Sequence, residues 1–504
     1  MNLSALGAFV VTDVLVRFRR LSTLVLLGLM LAAAWMWVPD PSTGRAVIVV
    51  DDHRALYTAG TIGLATASLS TIIVGLFGFY SVSNAVSRDL RTRVGQMLAS
   101  TPLSRATYIV GRFLGNLAFL SCLLAVYAAG SFTMVLVRGE GSFDPVSFAT
   151  QYLLICVPAV VTVSALAILF EVTPLLRSRA GDVAFFVLWL SIMGINSATA
   201  VSGKAQWFDP TGLGWVIQEI KKHSGTTSLS IGATSFDKTK PPIDFDGIPF
   251  NASTILPRAA NAAAPLVLLL PAMVFFHRFD PAKVKTPGRR EGSKKGRLLF
   301  LSRFITWIIP PTPRGAISAA AWDARLTFLE RPWGLLAIAA AWIAALADGK
   351  GAVPVAVIAG GFLISSIASR ERMQGTSALV ASSPVIAGRH GLWKLVASIL
   401  VLFVVMTPLL VRFGLEDPAR AFRLGAGMLL LAGIANLLGF LTGGPRSFVA
   451  ILLVAVYIAV NDGASFIDFA GFHEAIDVGV AVRWAVAAIV AGTLSLFAPK
   501  IARL

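Results

Sequence analysis

Charge is scarce in this chain. Asp, Glu, Lys and Arg make up 14% of 504 residues, whereas a soluble domain needs about a quarter of its residues charged to coat its surface. An ordinary water-soluble globule is therefore excluded. Cysteine is nearly absent, and Cys122 and Cys156 each sit inside an apolar run, which argues against a disulfide scaffold. The five histidines are scattered, so no cluster at metal-ligand spacing can be drawn. No Gly-x-x-x-x-Gly-Lys-Ser/Thr loop cradles a phosphate. The nearest stretch, Gly292-Ser293-Lys294-Lys295-Gly296, lacks both the spacing and the strand–helix setting. No Ser/His/Asp or Cys/His constellation is visible, and His53 beside Asp51 and Asp52 reads as a solvated cluster.

What is present is apolar: 56% of the residues, gathered in blocks of about 15–30. A helix of roughly 20 residues crosses a hydrocarbon core about 30 Å thick, and in lipid the backbone must satisfy its own hydrogen bonds. The alternation of a lipid-facing barrel is missing. The blocks predict spans at 22–38, 58–85, 106–137, 150–176, 183–202, 259–277, 333–347, 352–369, 391–412, 421–442, 447–460 and 478–498. The fold expected is all-α, a polytopic integral membrane protein of about twelve transmembrane helices. The seventh and eleventh blocks are short for full spans. Arg17, Arg19 and Arg20 ahead of Ala32-Ala33-Ala34 imitate a signal peptide. The run continues through Trp35-Met36-Trp37-Val38 and a like segment recurs mid-chain, so no cleavage is expected.

The formal charge of +17 is a topology signal rather than a nucleic-acid footprint. With the N-terminus inside, about 29 of 43 Lys and Arg and about 9 of 26 acids fall on that side. About 13 basic and 17 acidic residues fall opposite, with Arg483 left within the last span. The positive-inside rule then places both termini in the cytoplasm of a cell membrane, by expectation a bacterial inner membrane. The run Lys283–Arg303 reads as part of a basic cytoplasmic linker, residues 281–312, against anionic headgroups, with no nucleic-acid partner.

That linker separates two halves, 1–280 and 313–504. Residues 87–102 align without gaps on 369–384: Ser87/Ser369, Arg88/Arg370, Ala99/Ala381, Ser100/Ser382 and Pro102/Pro384 are identical, and Asp89/Glu371 is conservative. Asp13–Phe18 is echoed by Asp323–Phe328, each an amphipathic entry segment. The same elements in the same order on the same side imply parallel six-helix repeats. The loop 203–258 between spans five and six is long enough for a small exterior cap with a short helix near Leu213–Lys222.

In the first repeated segment Leu90, Val94, Met97 and Thr101 share one helical face, which predicts a short amphipathic helix along the membrane surface. Glu171, near the end of span four, is an intramembrane acid that Arg177 or Arg179 could pair. Asn84, Asn116 and Asn436 read as interhelical glue, Gly111 and Gly115 as a close helix contact, and Arg483 as snorkelling to headgroups. Asn251-Ala252-Ser253 matches a glycosylation triplet that arises often by chance.

The second segment, Glu371-Arg372-Met373-Gln374-Gly375-Thr376 followed by Leu379 and Ser383-Pro384, resembles the coupling helix of type-2 ABC transporter permeases. The first is degenerate, with Asp89, Leu90, Arg93 and Val94 at the corresponding positions, but keeps Met97 and Thr101-Pro102. The resemblance covers the span layout of most of the chain, and its sequence-specific part is about thirty residues in two places. It implies an exporter's permease subunit with no catalytic residues or cofactor of its own. A separate ABC ATPase, as a dimer carrying ATP and Mg, would dock on Arg88, Asp89, Arg91, Met97, Pro102, Arg370, Glu371, Arg372, Gly375, Thr376 and Pro384. ATP-driven closure would then rock the halves between inward- and outward-open states. One fused chain could serve each ATPase dimer, and a homodimer is also compatible. The substrate is not legible. The competing readings are an ion-coupled twelve-span transporter of the major facilitator type and a polytopic membrane enzyme. Against the first stand the entry segments, the long 203–258 loop and few buried acids; the second lacks paired acids or a metal cluster.

Overall fold

A computed structural model describes residues 3–277 and 316–501, apart from 84, 92–93, 102, 175, 177–178, 203–207, 225–228, 331–332, 348–350, 383, 462–466 and 474–477. The linker 281–312, Asn84, Arg93, Pro102, Arg177 and Ser383 lie outside the described residues. The chain forms two compact units, Met1–Thr286 and Pro287–Leu504, whose boundary falls within the linker stretch.

In the first unit the helices are α1 (Leu3–Phe18), α2 (Leu21–Met36), α3 (Ala59–Val82), α4 (Ala85–Arg91), α5 (Val94–Ser100), α6 (Arg105–Arg138), α7 (Pro145–Val172), α8 (Arg179–Val201), α9 (Leu213–Ser224) and α10 (Ala252–Phe275). The second unit contains α11 (Ala316–Glu330), α12 (Trp333–Leu346), α13 (Ala352–Ile364), α14 (Arg370–Gln374), α15 (Ser377–Ala381), α16 (Pro384–Glu416), α17 (Pro418–Thr442), α18 (Arg446–Asn461) and α19 (Val478–Ile501).

Among the described residues, eight helices are long and apolar enough to cross a membrane: α3, α6, α7, α8, α10, α16, α17 and α19. This is a membrane-embedded helical protein. Three further segments, Thr23–Met36, Ala352–Ile364 and Arg446–Val460, are apolar but shorter. At 1.5 Å per residue such helices fall short of a core about 30 Å thick. Ser318–Leu329 and Gly334–Leu346 are bent by 93° at a short break and make a ninth span if taken together. Of the twelve expected spans eight therefore fall on helices of sufficient length, three on the shorter ones, and 333–347 on the second arm of the bent pair.

The core of the first unit is α3, wholly buried against α6 and α7. It carries a π-helical turn, Val74–Gly78, where Trp189 of α8 lies against Gly75. Two of the prolines inside spans are compensated by side chains from neighbouring helices. A proline has no N–H to give the carbonyl four residues earlier. Pro158 in α7 therefore leaves Leu154 O without its helical donor, and Arg258 Nε of α10 supplies one at 2.8 Å. Pro408 in α16 likewise frees Val404 O, which accepts from Trp342 Nε1 of α12 at 3.1 Å.

The cap differs from the expectation. The helix near Leu213–Lys222 is present as α9, but the loop between the first two apolar helices joins it. Strands β1 (Arg45–Val50), β2 (His53–Arg54) and β3 (Leu229–Ser235) form an antiparallel sheet in the order β2-β1-β3. Asp51 and Asp52, with φ of 49° and 66°, make the two-residue turn from β1 to β2. His53 contacts Pro241 O at 2.8 Å. The cap is fixed to α7 by a reciprocal amide pair, Gln151 Nε2 to Ile248 O at 2.9 Å and Ile248 N to Gln151 Oε1 at 3.1 Å. Asn251, read as a possible glycan acceptor, caps α10 through a capping box with Thr254.

Arg258→Leu is expected to cost about 2–3 kcal/mol, since it strips charged donors from buried carbonyls. Thermal unfolding in detergent checks this. In a Pro158→Ala background the loss should shrink by about 1 kcal/mol, because the substituted alanine restores the N–H that Leu154 O lacks.

Candidate functional site

Each repeated segment is tied to its unit by a node of buried ion pairs, and each node is centred on an aspartate of an entry helix. In the first unit Asp13 of α1 is 2% exposed. Its Oδ1 accepts from Arg88 Nη2 and from Arg112 Nη1, each at 2.8 Å, and its Oδ2 pairs with Arg17 Nη2 at 2.6 Å. Arg112 of α6 also binds Asp89, which accepts from Tyr108 Oη at 2.6 Å. Arg17 reaches on to Asn116 Oδ1 at 2.6 Å. The aspartate comes this close because α6 has no side chain in the way: a Cβ on Gly115 would lie 3.0 Å from Asp13 Oδ2, and one on Gly111 would lie 3.3 Å from the Phe9 ring.

In the second unit Asp323 of α11, also buried, binds Arg370 Nη1 and accepts from Lys394 Nζ at 2.6 Å and Trp393 Nε1 at 2.9 Å. Lys394, fully buried, also binds Glu371, and His390 Nε2 lies 3.7 Å from the same carboxylate. Arg370 Nη2 donates to Thr327 Oγ1 at 2.8 Å. The two nodes use corresponding positions. Arg88 to Arg370, Asp89 to Glu371, Tyr108 to His390 and Arg112 to Lys394 all span the same interval of 282 residues, and Asp13 to Asp323 and Arg17 to Thr327 both span 310.

Buried charges persist only when paired, and removing one partner strands the other. Burial acts to raise the Asp13 carboxyl, but the charges of Arg17 and Arg112 and the Arg88 hydrogen bond outweigh it and hold it below the usual carboxylate range. For Glu371, burial likewise pushes up, while the His390 contact and the Lys394 charge hold it at about 2.

The segments end differently. After α14, Gly375 adopts a left-handed conformation, φ 73°. Thr376 N–H then donates to Glu371 O at 2.9 Å and Gly375 N–H to Arg372 O at 3.4 Å. These are the two hydrogen bonds of a Schellman turn, which is the physical content of the Gly-Thr pair. The first segment, expected to be an amphipathic helix, is helical over α4 and α5, and residues 92–93 between them lie outside the described residues. Glu171 of α7 accepts from the Val86 amide in the first turn of α4 at 2.7 Å, a placement favoured by the helix dipole.

The predicted coupling residues therefore separate into two kinds. Asp89 and Arg370 are buried, and Arg88 and Glu371 are largely covered, so these four fasten the segments inward and do not form an outward face. Met97 and Leu379, at corresponding positions, are each 72% exposed. Arg372, Gly375 and Met373 are also exposed, and Thr376 is partly so. Pro384 begins α16, while Pro102 and the side chain of Arg91 lie outside the described residues. Asn116 and Asn436 are buried interhelical acceptors, the latter 3.3 Å from Ser398 Oγ. Arg112, Lys394, Asp13 and Asp323 were not singled out as site residues. Extending the ungapped register of the two segments by about ten residues aligns a cation inside an apolar helix in both units, a signal for function. No group of His, Cys, Asp and Glu suited to a metal occurs among the described residues. No family model, curated protein or solved structure matches this chain.

Glu371 gives a pH prediction. Its carboxyl is depressed in the fold, so its stabilising contribution is present above about 4.5 and lost as pH falls towards about 2. Glu371→Gln should lower the unfolding midpoint at pH 7, and the gap to the parent protein should close across that window.

Proposed function

We propose that this chain is the membrane subunit of a type-2 ABC exporter, two six-span halves fused in one polypeptide and driven by a separate ATPase. The observation that carries the reading is the pairing of a buried ionic node with an exposed apolar tip in each repeated segment. The node ties the segment to the entry helix and to the next long helix. The tip, Met97 or Leu379, is left open. A segment gripped on one side and bare on the other can pass a push into the bundle. Arg88, Asp89, Arg370 and Glu371 are positioning residues in this account. Met97, Leu379, Arg372 and Thr376 make the contact, and Gly375 shapes the turn.

The halves are α2, α3, α6, α7, α8 and α10, and α12, α13, α16, α17, α18 and α19, of which α2, α12, α13 and α18 are the short ones. The entry helices α1 and α11 lie along the cytoplasmic surface, beside both termini and the basic linker, in a bacterial inner membrane. ATP and Mg bind the partner, as a dimer. The recurrence of both nodes at constant intervals supports duplication, and the 93° bend after α11 supports an elbow between entry helix and first span.

Two measurements test this. Met97→Asp with Leu379→Asp should cut stimulation of the co-purified ATPase by tenfold or more while leaving the unfolding midpoint unchanged; unaltered stimulation overturns the assignment. Cysteines at Gln96 and Gln374 should react with an impermeant maleimide in inside-out vesicles only, and labelling in intact cells overturns the orientation.

A further inference from the structure

A cleft of about 560 Å³ lies in the first unit, where the foot of the cap meets the ends of α2 and α6. Its charged lining is Arg54, Arg138, Lys238 and Lys240 against Asp40 and Glu140. The two carboxylates are already engaged. Glu140 accepts from Arg54 Nη1 at 2.5 Å and from Tyr57 N at 3.2 Å, and the Arg54 hydrogen bond chiefly holds it below the usual range. Asp40 accepts from Ser42 N at 2.9 Å and caps the turn after α2. The lysines are held in place differently. Lys238 Nζ donates to Ser42 O at 2.7 Å and Lys240 Nζ to Asp51 O at 3.1 Å. Lys240 also pairs with Asp52 at 3.5 Å, a carboxylate largely open to water, and lies within the field of exposed Asp237. Lys238 is thus fixed at the cleft by a neutral carbonyl, and Lys240 by a carbonyl and a solvent-exposed carboxylate, so neither ammonium is engaged by a buried acid.

The wall beside the cleft is apolar and bare. Trp35, Leu136 and Val137, at the ends of α2 and α6, are 55%, 63% and 64% exposed. The Arg138 guanidinium lies 4.8 Å from the Trp35 ring centroid and also binds Val38 O. In a membrane-embedded protein, bare apolar helix ends meet acyl chains, and tryptophan marks the headgroup level. A cationic cleft opening beside such a wall has the chemistry of an amphiphile with a negative head.

We propose that this cleft holds the phosphate of an anionic phospholipid, received chiefly by Lys238 and Lys240, with the acyl chains along Trp35, Leu136 and Val137. The site is independent of the exporter reading, because it needs only a bilayer at the level of Trp35. Its phosphate could equally come from a soluble ester, and the test separates the two.

The purified full-length protein is titrated with phosphatidylglycerol and with phosphatidylcholine, and retained lipid is counted by native mass spectrometry. Lys238→Gln and Lys240→Gln should each weaken phosphatidylglycerol retention about fivefold, the effect of one basic charge near a headgroup, and leave phosphatidylcholine unchanged. Lys238→Arg with Lys240→Arg should restore it, which guards against simple misfolding of the cap. Lys221→Gln with Lys222→Gln, on α9 and outside the cleft lining, should have no effect. Displacement by millimolar glycerol 3-phosphate assigns the cleft to the headgroup alone, and resistance assigns it to the whole lipid; either supports the site. Unchanged retention in the Gln variants, or an equal loss in the α9 variant, overturns it.

Discussion

A single carboxylate in each unit, Asp13 or Asp323, joins pieces of chain that sequence keeps far apart. It sits on an entry helix and grips a cation from the repeated segment and another from the long helix that follows. Ion pairs of this kind contribute little net stability, because desolvating the charges offsets most of their attraction. Their value lies in geometry. An aspartate buried among arginines or a lysine has few alternative arrangements that leave every charge paired, so the three elements are held in one register. A hydrophobic contact of the same area could slide; this one cannot without stranding a charge.

The surroundings are adapted to that constraint. Gly115 removes the side chain that would keep Asp13 away from α6. The second unit reaches the same arrangement with different residues: Lys394 stands where Arg112 does, and His390 where Tyr108 does. The chemistry of the node, an acid on the entry helix bridged by cations to an acid on the segment, is kept while its hydrogen-bonding detail varies. The segments themselves are less alike. The second ends α14 on a left-handed glycine, whereas the first has an arginine at the corresponding position and receives instead a carboxylate, Glu171, at the start of α4. Each unit therefore fixes its segment by a different terminus.

Much of this was legible in the sequence, for identifiable reasons. Helix periodicity and apolar length are local properties, so the long helices, α9 and the entry segments could be read directly. The Gly111–Gly115 spacing and the polar Asn116 and Asn436 also announced close packing, because small or amide residues inside apolar helices have few other uses. The sheet was not legible. β1 is a short apolar run without alternation, and its partner β3 lies well over a hundred residues away, so nothing local distinguishes it from the end of a span. The ionic nodes were only half visible: Arg88 and Asp89 looked like surface charge, since burial depends on partners in other helices. Helix length is marginal in three places. Blocks at 22–38, 352–369 and 447–460 are apolar enough for a membrane, yet the helices there are short for a span.

The distribution of polar groups follows from the same physics throughout the apolar helices. At Pro158 and Pro408, which remove a backbone donor, a side chain from another helix supplies one: Arg258 to Leu154 O and Trp342 to Val404 O. Where the nodes bury a carboxylate, a cation from a different element meets it, as Arg112 meets Asp13 and Lys394 meets Asp323. In both cases a polar group that water cannot reach is satisfied across a helix–helix contact, and that contact then becomes specific. Helices in lipid have little hydrophobic drive to choose one neighbour over another. A few polar groups placed at defined heights do the choosing, and two sets of them in this chain tie down the repeated segments. Those two sets anchor the surfaces that the exporter reading requires to be held firmly.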